Sequence, residues 1–141
     1  MGTPIGKWVG MRRIGFVLLL AVVLAGCSVP ASEAPRNAVE QTSSALNAAH
    51  WAVELNLAGR SSNQVTQVIL QESVAAVAQA RSGLAETSGT SGEKSRVAGE
   101  AMSAVLQLLT ELRDRPPTAA DLERFEATST SLAAAEQAVA P

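Results

Sequence analysis

The stretch NAVEQTSSALNAAHWAVELNLAG, residues 37–59, decides the fold class that the sequence predicts. Asn37 followed by Glu40 resembles a helix capping box, and Gly59 supplies the left-handed residue at which helices commonly end. Apolar residues recur along one face at spacings close to multiples of 3.5: Val39, Leu46, Ala49, Val53 and Leu57. A second face holds Ala48, Trp51, Ala52 and Leu55. Two apolar faces on one helix predict two neighbours, as in a helical bundle.

Two further helices are predicted beyond Gly59. Ser61 and Ser62 open one that continues to about residue 85, and another runs from about residue 93 to 114. The predicted apolar positions of the first are Leu70, Val74, Val77 and Leu84 on one side, with Val65, Ile69 and Ala76 on another. Those of the second are Ala98, Met102, Val105, Leu109 and Leu112. Residues 86–95 hold three Ser, two Gly and two Thr, which predicts the most mobile loop.

A fourth helix is predicted after Pro116 and Pro117. Neither proline can donate a helix hydrogen bond, so the third helix must end before them. Thr118 with Asp121 three residues later is typical of a helix start. The fourth helix continues to about residue 140, and its apolar stripe is Leu122, Phe125, Leu132 and Val139, interrupted by Ser129 and Glu136.

These segments predict an all-α fold, a small antiparallel bundle of about four helices over residues 37–141. The chain has 141 residues, enough for one domain and no more. Its apolar share is 47%, but aromatic residues make up only 3%, so the core consists mainly of Ala, Val and Leu. Such side chains pack as thin helix faces rather than as a thick sheet core.

The charge distribution argues against a nucleic-acid partner. Lys7, Arg12 and Arg13 are the only charged residues among residues 1–26. The remaining residues carry eight basic and thirteen acidic side chains, a net charge of −5, with no basic run. A mildly acidic domain is repelled by phosphate backbones, so we expect no nucleic-acid binding.

The N-terminal segment predicts export. Arg12 and Arg13 form a positive region, and the apolar run that follows, residues 14–26, is 13 residues long. This length is typical of a secretory signal peptide and is shorter than the roughly 18 to 20 residues that a spanning helix needs. The only cysteine of the chain, Cys27, comes directly after this run.

The residues Leu24, Ala25, Gly26 and Cys27 resemble the lipobox of bacterial prolipoproteins. In that family Leu, Ala and Gly at these positions are recognised by the signal peptidase, and the cysteine thiol receives a diacylglycerol through a thioether. The resemblance implies that residues 1–26 are removed and that acylated Cys27 becomes the mature N-terminus. Two or more acyl chains anchor a protein stably to a membrane.

The prediction therefore divides the chain into a signal peptide, residues 1–26, the lipidated cysteine with a short tether, residues 27–36, and the helical domain, residues 37–141. Two points about the N-terminal segment remain open: the residue at which translation starts, and whether Cys27 is lipidated. The predicted signal peptide is more compact if translation begins at Met11 rather than at Met1. A Cys27 that stands by chance in an ordinary signal peptide or a short anchor is the alternative to lipidation.

Residues that could carry chemistry are scarce, and no catalytic, metal or cofactor site is predicted. His50, the only histidine, has Glu54 at i+4 but no further ligands for a metal. The stretch GTSGEKS, residues 89–95, departs from a phosphate-binding loop because Glu93 separates Gly92 from Lys94. No nucleophile elbow is present in the sequence, and we expect no enzymatic activity.

Trp51 is the one candidate contact residue. Together with Phe125 it makes up the aromatic residues that follow Cys27. A tryptophan in this setting commonly packs against a neighbouring helix, and the functional alternative is an anchor for a partner protein or for lipid headgroups.

The sequence as a whole predicts a membrane-anchored lipoprotein that works by contact, as an interaction or structural module of the cell envelope with an unknown protein partner. The chain is also loosely similar to small lipoproteins of high-GC Gram-positive bacteria, because Arg greatly outnumbers Lys and the helical domain is short. That similarity implies an outward-facing anchor on the cytoplasmic membrane. A carrier or sensor that binds a small apolar ligand between the helices is the alternative, although few aromatic residues are available to line a cavity.

Overall fold

A computed structural model describes residues 30–87 and 92–141. These residues form four helices: α1 (Ala34–Leu57), α2 (Asn63–Thr87), α3 (Glu93–Arg113) and α4 (Ala119–Val139). No strand occurs in either described range, which confirms the predicted all-α bundle. The lipobox residues Leu24, Ala25, Gly26 and Cys27 and the centre of the predicted loop, residues 88–91, lie outside the described residues.

The helices run alternately up and down. At one end of the bundle, Gln67 near the start of α2 donates a hydrogen bond to the carbonyl oxygen of Arg115 after α3, at 3.3 Å. At the other end, the Lys94 ammonium at the start of α3 donates to the carbonyl oxygen of Ala140 after α4, at 2.6 Å. Helix α1 contacts all three other helices, whereas α2 and α4 do not contact each other within the described residues. Helix α3 likewise contacts the other three, so α1 and α3 face each other across the bundle, while α2 and α4 lie at opposite corners.

The buried positions repeat every seven residues. In α2 they alternate by steps of four and three: Thr66, Leu70, Ser73, Val77, Ala80 and Leu84. Helix α3 has the same steps at Ala98, Met102, Val105, Leu109 and Leu112. This spacing is typical of the seams of left-handed helical bundles. The inner faces predicted for α2 and α3 are confirmed at these positions, with Val74 only partly buried.

Helix α1 begins three residues earlier than the sequence predicts. The backbone N–H of Asn37 donates to the carbonyl oxygen of Glu33 at 3.0 Å, so Asn37 lies inside the helix and does not cap it. Pro35 stands in the first turn, where its fixed φ angle and missing N–H suit a helix start. Ala34 and Pro35 are buried. The predicted tether is therefore too long, because its last three residues belong to the bundle.

The end of α1 matches the prediction. Gly59 has φ +68°, in the left-handed region. Its backbone N–H donates to the carbonyl oxygen of Asn56 at 2.9 Å, and the backbone N–H of Arg60 donates to the carbonyl oxygen of Leu55 at 2.8 Å. These two bonds form a Schellman motif, which satisfies carbonyl groups that the helix end would leave free. Ser62 then opens α2, since its Oγ accepts the backbone N–H of Val65 at 3.3 Å.

The helix boundaries around the predicted loop are closer together than expected. Helix α2 continues to Thr87, two residues beyond its predicted end, while α3 begins at Glu93 as predicted. The hydroxyl of Thr87 donates to the carbonyl oxygen of Gly83 at 2.7 Å, within the last turn of α2.

Candidate interaction surface

The exposed large apolar side chains of the described residues all lie on α1 and α2. Trp51 is 62% exposed, Val65 and Val68 are each 50% exposed, and Leu57 is 40% exposed. The second faces predicted for α1 and α2 are thus wrong at Trp51, Val65 and the exposed Ala48 and Ala76, and Leu57 does not belong to the core. The reason is that α2 contacts only α1 and α3 within the described residues, so its outer side has no helix to cover it.

Two hydrogen bonds set the register of α1 against α2. The Thr66 hydroxyl donates to the carbonyl oxygen of Ala52 at 3.4 Å, and the Asn56 amide donates to the Asn63 side chain at 2.9 Å. In an antiparallel pair, this register places Trp51 within about one turn of Val65 and Val68 along the bundle axis. The three exposed side chains therefore occur at one level of the α1–α2 pair.

An open groove of about 500 Å³ runs between these two helices. Ser44 and Ala48 line it on α1, and Ile69, Glu72 and Ala76 line it on α2. Trp51 continues the α1 row, because it follows Ala48 by three residues on the same side of the helix.

Val65 continues the α2 row, four residues before Ile69. We call the surface made by Ala48, Trp51, Val65, Val68 and Ile69 the hairpin face. It combines a groove with an apolar end, and its side chains are available for contact because they are exposed or partly exposed.

The charges at the edge of the hairpin face include both signs. Glu54 lies three residues after Trp51, Glu72 lies four residues after Val68, and Arg60 stands in the turn between the helices. Arg60 and Glu72 form no ion pair with another described residue, whereas five of the other arginines do. Their charges remain available to a partner.

His50 faces away from any such partner and packs within the bundle. Its ring stacks on Phe125 of α4, with centroids 5.1 Å apart and an interplanar angle of 17°. Its Nε2 atom lies 3.9 Å from a carboxylate oxygen of Glu54. No group of three or more potential metal ligands is present among residues 30–87 and 92–141.

The sequence interpretation missed the role of Asp121. This carboxylate is 1% exposed and accepts two hydrogen bonds from the Arg115 guanidinium, at 2.8 and 2.5 Å. It also accepts the backbone N–H of Thr118 at 2.7 Å and the hydroxyl of Thr118 at 2.9 Å. The bonds from Arg115 hold the pKa of Asp121 well below its usual range, and those from Thr118 add to this, although burial opposes it.

The same cluster joins α3 to α4. Arg124 pairs with Glu111 across the two helices, and the Glu111 pKa is lowered mainly by this hydrogen bond. In the sequence, Glu111 and Arg115 belong to a charged cluster beside the Pro116–Pro117 turn that is typical of a solvated face, and nothing there distinguishes them from other charges. A signal was nevertheless present, because Arg115 precedes the capping residue Asp121 by six residues across that turn. Because the carboxylate oxygens of Asp121 accept hydrogen bonds from Arg115 and Thr118, this residue has a structural role and is not a candidate ligand-binding residue.

The described part of the stretch that superficially resembles a phosphate-binding loop, residues 92–95, begins a helix. Gly92 is the residue before α3, and Glu93 pairs with Arg96, which also pairs with Glu100. Lys94 is bonded to Ala140, as described above. Among the described residues, no helix combines the length and the apolar character needed to cross a membrane.

A scan against protein-family models finds no match for this chain, and no curated protein or solved structure is significantly similar to it.

Proposed function

We propose that this protein is a membrane-anchored lipoprotein of the cell envelope that acts by contact, without catalysis, through the hairpin face. The observation that carries the proposal is the concentration of exposed apolar side chains on that face, with Trp51 62% exposed. Exposed apolar clusters rimmed by polar residues commonly mark protein interaction sites, and tryptophan is among the residues that most often dominate them.

The anchoring part of the proposal is supported by the N-terminal sequence. Leu24, Ala25 and Gly26 precede Cys27 at the end of a 13-residue apolar run. An acylated Cys27 would hold the bundle on the outer side of the cytoplasmic membrane through a short segment that ends at Ala34, where α1 begins. Because α1 rises about 1.5 Å per residue, Trp51 lies about 25 Å along the helix from Ala34. The hairpin face is thus displaced from the end of the bundle that follows the anchor.

The charged groups of the described residues support contact rather than chemistry. Asp121, Glu111, Arg115 and Arg124 are used in bonds that join α3 to α4. The carrier alternative requires an apolar chamber among the helices. The groove of about 500 Å³ between α1 and α2 is instead open at the surface, so it does not favour that alternative.

The Cys27→Ser variant tests the anchor. Without the thiol no thioether to a diacylglycerol forms, so we expect the variant to leave the membrane fraction or to retain its uncleaved leader. Fractionation of cells, with mass spectrometry of the purified protein, makes the measurement. Ser28→Ala is the matched control and is expected to remain acylated and membrane-bound. A Cys27→Ser protein that is still cleaved and still bound to membranes would contradict the proposal.

The Trp51→Ala variant tests the contact role. Cross-linking of the intact protein in its native membrane, followed by identification of the cross-linked species, is expected to recover a protein partner. We expect the substitution to reduce this recovery at least tenfold, because truncation of an interface tryptophan commonly costs about 2 kcal/mol or more. An exposed alanine of α4, Ala133, is the control position, and Ala133→Ser should leave recovery unchanged. Equal recovery with Trp51→Ala would exclude the hairpin face as the contact surface.

A further inference from the structure

We propose that the hairpin face binds a second copy of this chain, in an antiparallel arrangement about a two-fold axis close to Val65 and Val68. This inference names the partner of the contact role proposed above. A symmetric dimer requires a surface that is complementary to itself: each group must meet its complement when the surface is rotated by half a turn. The hairpin face has an apolar centre, with Arg60 toward one end, Glu72 toward the other, and Glu54 of α1 at the level of Val65.

The spacing of these charges along the chain carries the inference. Arg60 precedes Val65 by five residues, and Glu72 follows Val68 by four. Counted along the chain, the two charges therefore have nearly equal separations from the middle of the Val65–Val68 pair, with Arg60 in the turn before α2 and Glu72 on α2. In an antiparallel dimer, Val65 of one copy lies level with Val68 of the other, and Arg60 lies level with Glu72. Both charges lack an ion-pair partner among the described residues and are exposed.

A parallel dimer on the same face is disfavoured by these charges. It would place Arg60 beside Arg60 and Glu72 beside Glu72, and like charges across an interface are unfavourable. Only the antiparallel arrangement places the opposite charges together.

Other occupants fit the surface less well. An amphipathic helix that binds an anionic membrane has Lys and Arg along its polar edge. The edge of the hairpin face has two acidic residues, Glu54 and Glu72, and one basic residue, Arg60. An excess of negative charge is repelled by an anionic membrane and also by the phosphates of a nucleic acid. The surface has too few charges of one sign to favour a strongly charged protein.

The arrangement has a geometric consequence for anchored copies. Ala34, at the start of α1, is 18 residues from Ala52, which lies level with Thr66 near the proposed axis. At about 1.5 Å per residue this is about 27 Å, so the two copies of Ala34 would lie roughly 54 Å apart at opposite ends of the dimer. If both copies are acylated, which rests on the proposed function, the dimer lies along the membrane with an anchor at each end.

A charge-exchange experiment tests the proposal in the full chain. Two copies with different C-terminal tags are expressed together, and the membranes are dissolved in a mild detergent. One copy is then purified by its tag, and the amount of the other copy that is purified with it is measured. We expect Arg60→Glu and Glu72→Arg each to reduce co-recovery about tenfold, because attraction becomes repulsion at two symmetric places. The double variant, with both substitutions, should restore co-recovery, since the complementary charges are then exchanged.

Two further variants separate the interface from general effects. Val68→Asp should abolish co-recovery, because it places a charge in the apolar centre, and Glu123→Arg on the exposed side of α4 should leave it unchanged. Circular dichroism of each variant checks that the bundle is folded. Dimerisation is overturned if the copies do not recover each other, if Val68→Asp has no effect, or if the double variant is as weak as the single ones.

The outcome for Cys27→Ser distinguishes this inference from the proposed function. Copies that carry Cys27→Ser should still recover each other, because the hairpin face does not include the anchor. If they do so and the unmodified protein proves not to be acylated, the dimer survives and the lipoprotein proposal fails. If instead a different protein is recovered in a Trp51-dependent way and no second copy is found, the contact role survives and the dimer fails.

Discussion

Asp121 shows what one residue contributes to this fold. A buried carboxylate is costly unless every oxygen is paired, and here Arg115 and Thr118 supply four hydrogen bonds. The residue caps α4 and at the same time ties it to the segment that follows α3. Replacing it therefore affects a helix start and a contact between two helices together.

We predict that Asp121→Asn lowers the free energy of unfolding at pH 7 by about 2 kcal/mol, since hydrogen bonds to charged groups contribute about 1.5–3 kcal/mol and Arg115 is partly exposed. The pKa of Asp121 is lower in the folded protein than its ordinary value of 3.8. Its contribution is thus complete above that value and is lost as the pH falls toward the folded pKa. Denaturant unfolding at pH 7 and pH 2.5 makes the measurement.

The control for this prediction is Glu123→Gln, an exposed acid on the same helix. It should change the free energy of unfolding by less than about 0.5 kcal/mol at pH 7. The difference between the unmodified protein and Asp121→Asn should shrink at pH 2.5. A difference that is equal at both pH values would show that the ionised carboxylate is not what stabilises the fold.

Phe125 is the largest of the fully buried side chains and the only aromatic residue in the core of the described residues. Because it is 1% exposed and stacks on His50, we predict that Phe125→Ala lowers the free energy of unfolding by about 3 kcal/mol or more. Phe125→Leu should lower the free energy of unfolding by clearly less, since leucine keeps most of the side-chain volume. Thermal and denaturant unfolding test both variants. A change near zero for Phe125→Ala would mean that α4 does not pack as described.

At the scale of the helices, local chemistry explains the boundaries. Gly59 allows the Schellman motif at the end of α1, and Thr118 with Asp121 begins α4, both as the sequence predicts. The start of α1 was predicted wrongly. The sequence interpretation used Asn37 with Glu40 as the start signal, whereas in the structure Pro35 stands in the first turn and Ala34 and Pro35 are buried in the bundle.

Replacing two glycines, Gly59 and Gly83, by alanine is predicted to change the free energy of unfolding in opposite directions. Gly59→Ala should destabilise the protein by about 1 kcal/mol, because alanine is strained at φ +68° although nothing lies within 4 Å of the added atom. Gly83→Ala, inside α2 and equally free of obstruction, should stabilise it by up to about 1 kcal/mol. Denaturant unfolding of the two single variants tests both. Equal changes of the same sign would mean that backbone conformation does not govern these positions.

At the scale of the whole molecule, the packing of the four helices leaves the outer side of the α1–α2 pair exposed, and this is the surface that the proposals use. Helix α1 touches α2, α3 and α4, while α2 touches only α1 and α3. With two neighbours, α2 keeps an outer side that no described helix covers, and the rows that contain Val65 and Ala76 lie on it. Here they lie on the outside, which leaves an apolar face with no partner inside the described chain.

The sequence by itself determined the helical class, the number of helices, most helix ends and the inner faces of α2 and α3. These depend on interactions between residues a few positions apart: the apolar repeat, the capping side chains and the residues that break helices. The order Leu24, Ala25, Gly26, Cys27 likewise predicts lipidation from a local pattern alone, and that prediction stands to be tested.

Only the tertiary structure decided which apolar face of α1 and α2 is covered, that Trp51 is exposed and that Asp121 is buried with Arg115. The apolar repeat shows that a face can be buried but not how many helices come to cover it. That number depends on how the four helices share their contacts, which is a property of residues far apart in the chain. Burial of Asp121 depends in the same way on α3 and α4 meeting beside the Pro116–Pro117 turn.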